Sequence, residues 1–168
     1  RAGRWTYPPT TLRGNAVITV EPLTRGRIDD VLGFERELRR QEPDTFFMDA
    51  GEGYRAQLEH SFQDDRFSNA VSLLAYRDGR VIGRIDGVIL AARSDASCTC
   101  AYLDWICVLK AERHRQVAQL LLGELRRELR GRGVDTLIAI MAHNPDSLRF
   151  YRAVENASIH DEAVWMDL

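Results

Sequence analysis

The sequence is short of the residue types on which several protein classes depend. Its 168 residues include only three cysteines, Cys98, Cys100 and Cys107, with no Cys-x-x-Cys pair and no matching histidine spacing. Neither a disulfide framework nor a zinc site is supported, so we expect free, buried thiols. No apolar run approaches the ~20 residues that a membrane-spanning helix needs, and the N-terminus lacks the apolar core of a signal peptide. These absences predict a cytoplasmic protein that does not enter a membrane.

An excess of charge of one sign is also missing. Lys and Arg total 23 against 25 Asp and Glu, so the formal net charge is -2 at pH 7. A chain without a basic field has little attraction for nucleic acid or for an anionic membrane. Hydrophobic residues make up 45% of the sequence, and this length is typical of one compact domain. We expect residues 1–15, which contain Pro8-Pro9 and no periodicity, to form an N-terminal arm, and residues 16–168 to form a single domain.

Apolar periodicity predicts a mixed α/β (α+β) chain. Short β-branched or alternating runs predict strands, and apolar residues at helical spacing predict helices. Asp78-Gly79 is a strong two-residue hairpin signal between two of these strands. The predicted order is a strand over 16–20, helices over 25–40 and 54–62, strands over 69–76, 80–92 and 100–109, a helix over 113–129, a strand over 134–142, a helix from 145, and a last strand over 163–168.

A short polar turn joins the strand over 100–109 to the helix over 113–129. The N-terminus of a helix that directly follows a strand exposes unpaired N–H groups and the positive end of the helix dipole, which together favour a phosphate group. Arg113, His114 and Arg115 would add charged donors to the same anion. The alternative interpretation of these three residues is a solvated start of a helix.

A second motif, Asn144-Pro145-Asp146-Ser147-Leu148-Arg149-Phe150-Tyr151, predicts the start of the last helix. Asn is a favourable N-cap, and Pro is favourable at the first helical position. Taken alone, the Phe150-Tyr151 pair predicts two aromatic side chains packed on this helix.

The order of these two motifs resembles that of the acetyl-CoA-dependent N-acetyltransferases of the GNAT superfamily. Arg113-x-x-Gln116-x-Ala118 occupies the place of the family's pyrophosphate loop, Arg/Gln-x-x-Gly-x-Gly/Ala, and the second motif resembles the Asn-x-x-Ala/Ser-x-x-Phe-Tyr signature. The motifs are nearest to those of small aminoglycoside 3-N-acetyltransferases and spermidine-type acetyltransferases. The resemblance implies the GNAT fold, with a central mixed sheet of about six to seven strands flanked by about four helices, and acetyl-CoA as cosubstrate without a metal.

The resemblance also assigns roles to individual residues. Tyr151 would protonate the leaving thiolate, and Asn144 would cap the last helix beside the cofactor. The remaining cofactor-binding positions are Ile106, Cys107, Val108, Arg113, His114, Arg115, Gln116, Val117 and Ala118.

Two positions depart from the family pattern. Gln116 replaces the middle glycine of the loop, where a Cβ would crowd the pyrophosphate. A helical backbone does not require glycine there, so we expect weakened but not abolished cofactor binding. Glu155-Asn156-Ala157 stands where the family has glycine after the tyrosine, and we expect Asn156 to adopt the left-handed conformation in its place.

Attack on a thioester needs a neutral amine, so a base must accept a proton from the ammonium group. Asp104 lies four residues before Val108, which predicts that both lie on one strand face. It also corresponds in the resemblance to an acidic residue of the polyamine acetyltransferases. The alternative for Asp104 is an ion pair with a residue such as Arg84. His143 is a second candidate base.

We therefore expect transfer of an acetyl group from acetyl-CoA to a primary amine of a small, cationic acceptor by direct attack, in a bacterial enzyme. A group of acidic residues suits a cationic amine unless these are simply solvated loop charges: Asp44, Asp49, Glu52, Asp64 and Asp65. The alternatives are a degenerate GNAT module that binds CoA or a partner without turnover, a protein or peptide N-acetyltransferase, and an unrelated α/β phosphate-binding protein. The oligomeric state is open, with a homodimer as one option.

Overall fold

The computed structural model describes residues 11–12, 17–46, 51–90, 99–160 and 166. Six strands in these ranges form one mixed sheet, in which the spatial order of the strands equals their order along the chain. The first five strands pair antiparallel with their neighbours, and the sixth pairs parallel with the fifth. The strands are β1 (Thr11–Leu12), β2 (Ile18–Pro22), β3 (Ala70–Arg77), β4 (Arg80–Leu90), β5 (Cys100–Val108) and β6 (Thr136–Ala139).

The described residues also form four α-helices, in the predicted order. They are α1 (Ile28–Gln41), α2 (Glu52–Ser61), α3 (Val117–Gly131) and α4 (Pro145–Arg152). The predicted fold class is confirmed. The start of α3 was predicted wrongly: it begins four residues later than expected, because Lys110–Glu112 forms a 3-10 turn and the backbone then leaves the right-handed region at His114 and Gln116.

Helices cover both faces of the sheet and form two apolar layers. On one face α3 buries a stripe at helical spacing, as predicted, with Val117, Leu121, Leu125 and Leu129 almost fully covered. On the other face α1 buries the predicted stripe from Ile28 to Leu38, together with Leu58 of α2. Each such side chain contributes about 1.5–3 kcal/mol when fully buried. The sheet is therefore fixed between α3 on one side and α1 and α2 on the other.

Close approach between α3 and β4 depends on two glycines of the strand. A Cβ added at Gly83 would lie 3.0 Å from Leu121 Cδ1 and 3.2 Å from the Cys107 carbonyl oxygen. A Cβ at Gly87 would lie 3.2 Å from Leu125 Cδ1. These contacts fix how deeply α3 sits on the sheet and hence where its N-terminus lies.

The turns and ends of the chain meet the sequence-based expectations unevenly. Asp78 (φ 50°) and Gly79 (φ 73°) form the predicted two-residue hairpin between β3 and β4. Thr11–Leu12 pairs with Ile18 and Thr19, so the sheet begins inside the segment that the sequence assigns to an arm. The predicted strand over 163–168 lies, apart from Met166, outside the described residues.

The described cysteines are buried or partly buried. Cys107 is buried, which raises the pKa of its thiol to about 12, and Cys100 is partly buried; no disulfide joins these two described cysteines. Cys98 lies outside the described residues. Within the described ranges no helix has the length and apolarity to span a membrane.

Candidate active site

The parallel strands β5 and β6 are paired over only part of their lengths. Their last paired residues are Leu103 and Ala139, and β6 ends there. β5 continues to Val108, so residues 104–108 have no β6 partner within the described part of the chain. We call this place the opening between β5 and β6.

Main-chain groups of β5 face this opening. The N–H of Leu109 donates to Ile82 of β4 at 3.0 Å. Because main-chain groups of a strand alternate in direction, those of Ile106 and Val108 point away from β4, toward the opening, and those of Cys107 point to β4. Of the three predicted cofactor-binding residues of this strand, two therefore present main-chain groups to the opening.

The loop between β5 and α3 has an unusual backbone conformation. His114 and Gln116 each have a φ of 62°, whereas the residue between them does not have a positive φ. A backbone that alternates in this way directs successive N–H groups into one concavity that favours an anion. Gln116 is the N-cap of α3, and none of the described side chains caps the helix. The N–H groups of Val117 and Ala118 are thus available at the positive end of the helix dipole.

This backbone corrects the expectation for Gln116. A right-handed helical conformation was expected, and it would have made glycine unnecessary. The observed left-handed conformation is one that favours glycine, so Gln116 is strained by about 1–2 kcal/mol. Its side chain and those of His114 and Arg115 are exposed to solvent.

The guanidinium group of Arg113 is hydrogen-bonded within the protein. Its two terminal nitrogens donate to the carboxylate of Glu42, at the end of α1, with Nη1 at 2.9 Å from Oε1. Its Nε donates to the carbonyl oxygen of Val108 at 3.2 Å. Arg113 therefore connects the loop to both α1 and β5. Nothing in the sequence pattern pointed to Glu42 as its partner.

Asp104 lies at a β-bulge and at the first position of the opening. Asp86 of β4 pairs with Trp105 and Gly87 pairs with Leu103, which leaves Asp104 as the extra residue. The alternation of side chains is broken there, so counting by twos to Val108 does not establish a shared face. The Asp104 side chain is exposed to solvent at this bulge.

The alternative partner for Asp104, Arg84, belongs to a different ion-pair network. Arg84 Nε lies 2.7 Å from Asp86 Oδ2, and its Nη1 lies 3.3 Å from Glu35 Oε1. Nη1 also donates to the hydroxyl of Tyr54 at 2.6 Å. We call Glu35, Tyr54, Arg84 and Asp86 the charge cluster. The expected Asp104–Arg84 pair is not formed among the described ion pairs, because Arg84 is held by residues from α1, α2 and its own strand.

The charge cluster lies under α1 and α2 next to the bulge. Burial raises the pKa of Asp86, although Arg84 and Ser72 lower it, and nearby Asp104 raises it further. Burial also raises the pKa of Tyr54. The sequence offered one signal of this cluster: Glu35 lies on the otherwise apolar stripe of α1, and a buried carboxylate needs a buried partner.

An aromatic pair borders the exposed Asp104. Phe46 contacts Trp105 edge to face, with ring centroids 5.8 Å apart and an interplanar angle of 74°. The main-chain N–H of Phe46 donates to Glu42 at 3.0 Å, which closes the turn after α1. The Asp104 carboxylate therefore lies next to an aromatic surface, an arrangement that suits a cationic group.

α4 begins as the sequence predicts. Asn144 is the N-cap, its Oδ1 accepts a hydrogen bond from Ser147 N at 2.8 Å, and Pro145 occupies the first turn. Asn156 has a φ of 58°, as expected for the residue that stands in for glycine.

Tyr151 of α4 is half-buried near the opening. Burial raises the pKa of its hydroxyl, as does the neighbouring Tyr102, which pairs with Ile138 two residues before the opening. Its ring also packs on Phe150, with centroids 5.0 Å apart, so the packing predicted for this aromatic pair is present too. Within the described residues its hydroxyl has no hydrogen-bond partner.

The other acidic and histidine residues singled out in the sequence are spread over several parts of the chain. Asp64 caps a 3-10 turn and binds Arg66, which lowers its pKa to about 2. Glu52 is paired with Arg55 at 3.8 Å, whereas Asp49 lies outside the described residues. His143 is exposed at the residue before Asn144. No three His, Cys, Asp or Glu side chains of the described ranges are grouped to hold a metal ion.

Solved structures with the same architecture include several N-acetyltransferases. Aminoglycoside N-acetyltransferase AAC(6')-Iy, in complex with the bisubstrate analog CoA-S-monomethyl-acetylneamine, is 19% identical, with 90% of this chain and 98% of that chain covered and a TM-score of 0.68. An aminoglycoside acetyltransferase from an uncultured soil metagenomic sample, in complex with sisomicin, is 13% identical, with coverages of 90% and 96% and a TM-score of 0.72. Ribosomal-protein-alanine N-acetyltransferase from Brucella melitensis biovar Abortus 2308 is 18% identical, with coverages of 89% and 99% and a TM-score of 0.65.

At these identities the structural likeness shows the fold alone. No curated protein matches the chain significantly in sequence. The sequence of residues 34–154 matches the model of the acetyltransferase (GNAT) family, and this stretch contains the opening, the β5–α3 loop and α4. The chain belongs to the GNAT family of acetyltransferases.

Proposed function

We propose that this protein transfers an acetyl group from acetyl-CoA to a primary amine of a small, cationic acceptor by direct attack. The observation that carries the proposal is the convergence of three features at one opening in the sheet. These are main-chain groups of β5 that have no β6 partner, an uncapped helix N-terminus behind a loop with left-handed residues, and two titratable side chains, Asp104 and Tyr151.

Main-chain groups supply most of the proposed cofactor site. In this proposal Ile106 and Val108, with Cys107 between them, hold the pantetheine arm by strand-like hydrogen bonds. The N–H groups over 114–118 hold the pyrophosphate, and the exposed His114 and Arg115 add positive charge. Asn144 fixes the start of α4 beside the same opening.

Asp104 and Tyr151 are assigned the two proton transfers. The amine nitrogen forms a bond to the thioester carbonyl carbon, and the carbon–sulfur bond breaks. Asp104 accepts the first ammonium proton through a water molecule before the attack, and the Tyr151 hydroxyl gives its proton to the departing thiolate. The second proton of the nitrogen then passes through solvent to the Tyr151 phenolate, which leaves a neutral amide and a free thiol. Because burial raises the pKa of Tyr151, this hydroxyl stays protonated near neutral pH and is ready to act as an acid.

The acceptor class is proposed from the surroundings of Asp104. An exposed carboxylate beside the Trp105–Phe46 pair favours an ammonium group by charge and by cation–π attraction. The neighbour bound to sisomicin gives independent support for a small acceptor that carries amines.

The test combines cofactor binding with turnover. Calorimetry measures acetyl-CoA affinity, and a thiol reagent measures CoA release with polyamines, aminoglycosides and peptides that have a free N-terminus. Each amine is paired with its N,N-dimethyl form, which keeps the charge and cannot yield a stable amide. We expect binding, and release with small primary amines alone.

The other outcomes identify the rival functions. Binding without release with any amine would indicate a degenerate module, and release confined to peptides would indicate a protein or peptide N-acetyltransferase. A wild-type protein that binds no acetyl-CoA would contradict the proposal altogether.

A further inference from the structure

The ion pair between Arg113 and Glu42 joins two parts of the proposed active site that are far apart in sequence. Arg113 lies in the β5–α3 loop, and Glu42 is the C-cap of α1. The pair is a bidentate fork that uses both terminal nitrogens of the guanidinium group. Side-chain exposure is 36% for Arg113 and 16% for Glu42, so solvent screens the pair only partly.

A third hydrogen bond limits the freedom of Arg113 further. Its Nε donates to the Val108 carbonyl oxygen at 3.2 Å, which ties the guanidinium group to the end of β5. Three of the five donors of Arg113 are thus used inside the protein. The residue that follows it, His114, is the first of the two left-handed residues that shape the loop.

The side chain and the main chain of Glu42 make different hydrogen bonds. Its side chain holds Arg113, whereas its carbonyl oxygen accepts the N–H groups of Thr45 at 3.2 Å and Phe46 at 3.0 Å. The second set of bonds closes the turn that brings Phe46 onto Trp105 beside Asp104. A substitution that changes only the carboxylate therefore affects the loop and leaves the aromatic pair in place.

We infer that Glu42 is a positioning residue for the cofactor: it holds Arg113 so that the β5–α3 loop keeps its anion-binding shape, and Arg113 acts through the loop instead of contacting the phosphates itself. This inference rests on the proposed function, because it concerns the acetyl-CoA site of that reaction. The rival is that Arg113 binds the pyrophosphate directly and that Glu42 competes with the phosphates for it.

The inference and its rival predict different effects of Glu42→Gln on acetyl-CoA binding. If Glu42 positions the loop, Glu42→Gln weakens acetyl-CoA binding by about tenfold, as Arg113→Gln does, since a charge-assisted fork is lost in either case. The double variant is then no weaker than either single variant. If Glu42 only competes, Glu42→Gln leaves binding unchanged or tightens it.

The experiment measures acetyl-CoA dissociation constants by calorimetry for the wild type, both single variants, the double variant and the exchanged pair Glu42→Arg with Arg113→Glu. Glu37→Gln is the matched control, because Glu37 is paired with Arg40 and Gln41 within α1. We expect partial recovery in the exchanged pair, no effect in the control, and an unchanged KM for the amine acceptor. Equal or tighter binding by Glu42→Gln would overturn the inference.

Amide hydrogen exchange of the free protein separates this inference from the proposed function. Glu42→Gln should speed exchange of the hydrogen-bonded amides on either side of the loop, those of Arg113 and Leu120, while the melting temperature falls by no more than about 4 °C, the shift expected for about 1 kcal/mol in a chain of this length. Unchanged exchange would overturn the inference even if the protein acetylates amines. A wild type that binds no acetyl-CoA would instead overturn the proposed function.

Discussion

The two sides of the opening between β5 and β6 are built from different parts of the chain and from different chemical groups. On the α3 side, the candidate cofactor site consists of main-chain groups of Ile106 and Val108 and the N–H groups over 114–118, all within one continuous stretch of the chain. On the α1–α2 side, the site consists of charged and aromatic side chains that come from α1, α2, β4 and β5.

The difference shows what each side can recognise. Main-chain N–H groups at a helix N-terminus bind an anion with little dependence on side-chain identity, so that side suits a constant cosubstrate. Side chains gathered from four elements define a local charge and shape, so the other side suits a particular acceptor. Substitutions on the two sides should therefore affect different kinetic constants, and the following predictions test that separation.

The largest effect is expected for Tyr151→Phe. Loss of the proton donor should lower turnover by about 100-fold or more, because general acid catalysis contributes at least that much, while acetyl-CoA affinity stays unchanged. Steady-state kinetics with calorimetry checks both. Since burial raises the pKa of Tyr151, the wild type should keep this donor protonated until the pH exceeds the ordinary tyrosine pKa. Phe150→Leu, a neighbour on the same helix, is the control for packing, and equal turnover by Tyr151→Phe would remove this hydroxyl from the mechanism.

Asp104→Asn is expected to have the next largest effect, about tenfold or more at low pH. Loss of a base should lower turnover most where the acceptor is an ammonium ion, and rising pH should restore part of it by deprotonating the amine. A pH profile of turnover and KM measures this. A rise in KM alone would mean that Asp104 only binds the cation, and wild-type rates at every pH would redirect attention to His143.

Gly83→Ala should destabilise the protein by about 1–3 kcal/mol. The added Cβ would meet Leu121 Cδ1 at 3.0 Å and the Cys107 carbonyl oxygen at 3.2 Å, so the neighbouring atoms must shift by a few tenths of an ångström. If α3 takes up this shift, its N-terminus moves too, and acetyl-CoA affinity should fall with stability. Gly123→Ala is the matched control: no atom lies within 4 Å of its Cβ position, and alanine should stabilise α3 by about 0.5–1 kcal/mol. Urea unfolding distinguishes the two.

The smallest effect is expected for Gln116→Gly. Relief of the left-handed strain should raise the free energy of unfolding by less than about 1 kcal/mol, because the extra chain entropy of glycine offsets part of the gain. Acetyl-CoA should bind a few-fold more tightly once the Cβ is removed from the loop. Gln116→Ala keeps the strain and the Cβ, so it should gain in neither measurement. Identical affinities for all three proteins would mean that the pyrophosphate does not approach this residue.

Features that depend on near neighbours in the chain could be predicted from the amino-acid sequence. The Asp78-Gly79 turn, the Asn144 cap, the left-handed Asn156 and the apolar stripes of α1 and α3 all follow from local backbone preferences and from the helical repeat. The strand, loop and helix of the first family motif are also a local feature, because they follow one another directly along the chain.

The pairing of the charged side chains depends on the tertiary structure. From the sequence, Arg84 was a possible ion-pair partner of Asp104. In the structure Arg84 contacts Glu35, Asp86 and Tyr54 instead. Arg113 is paired with Glu42, which lies 71 residues away in the sequence. The exposure of Asp104 was likewise fixed by a bulge whose register depends on the partner strand. An ion pair has no sequence spacing of its own: any arginine can pair with any carboxylate, and the packing of the elements selects which two come within reach.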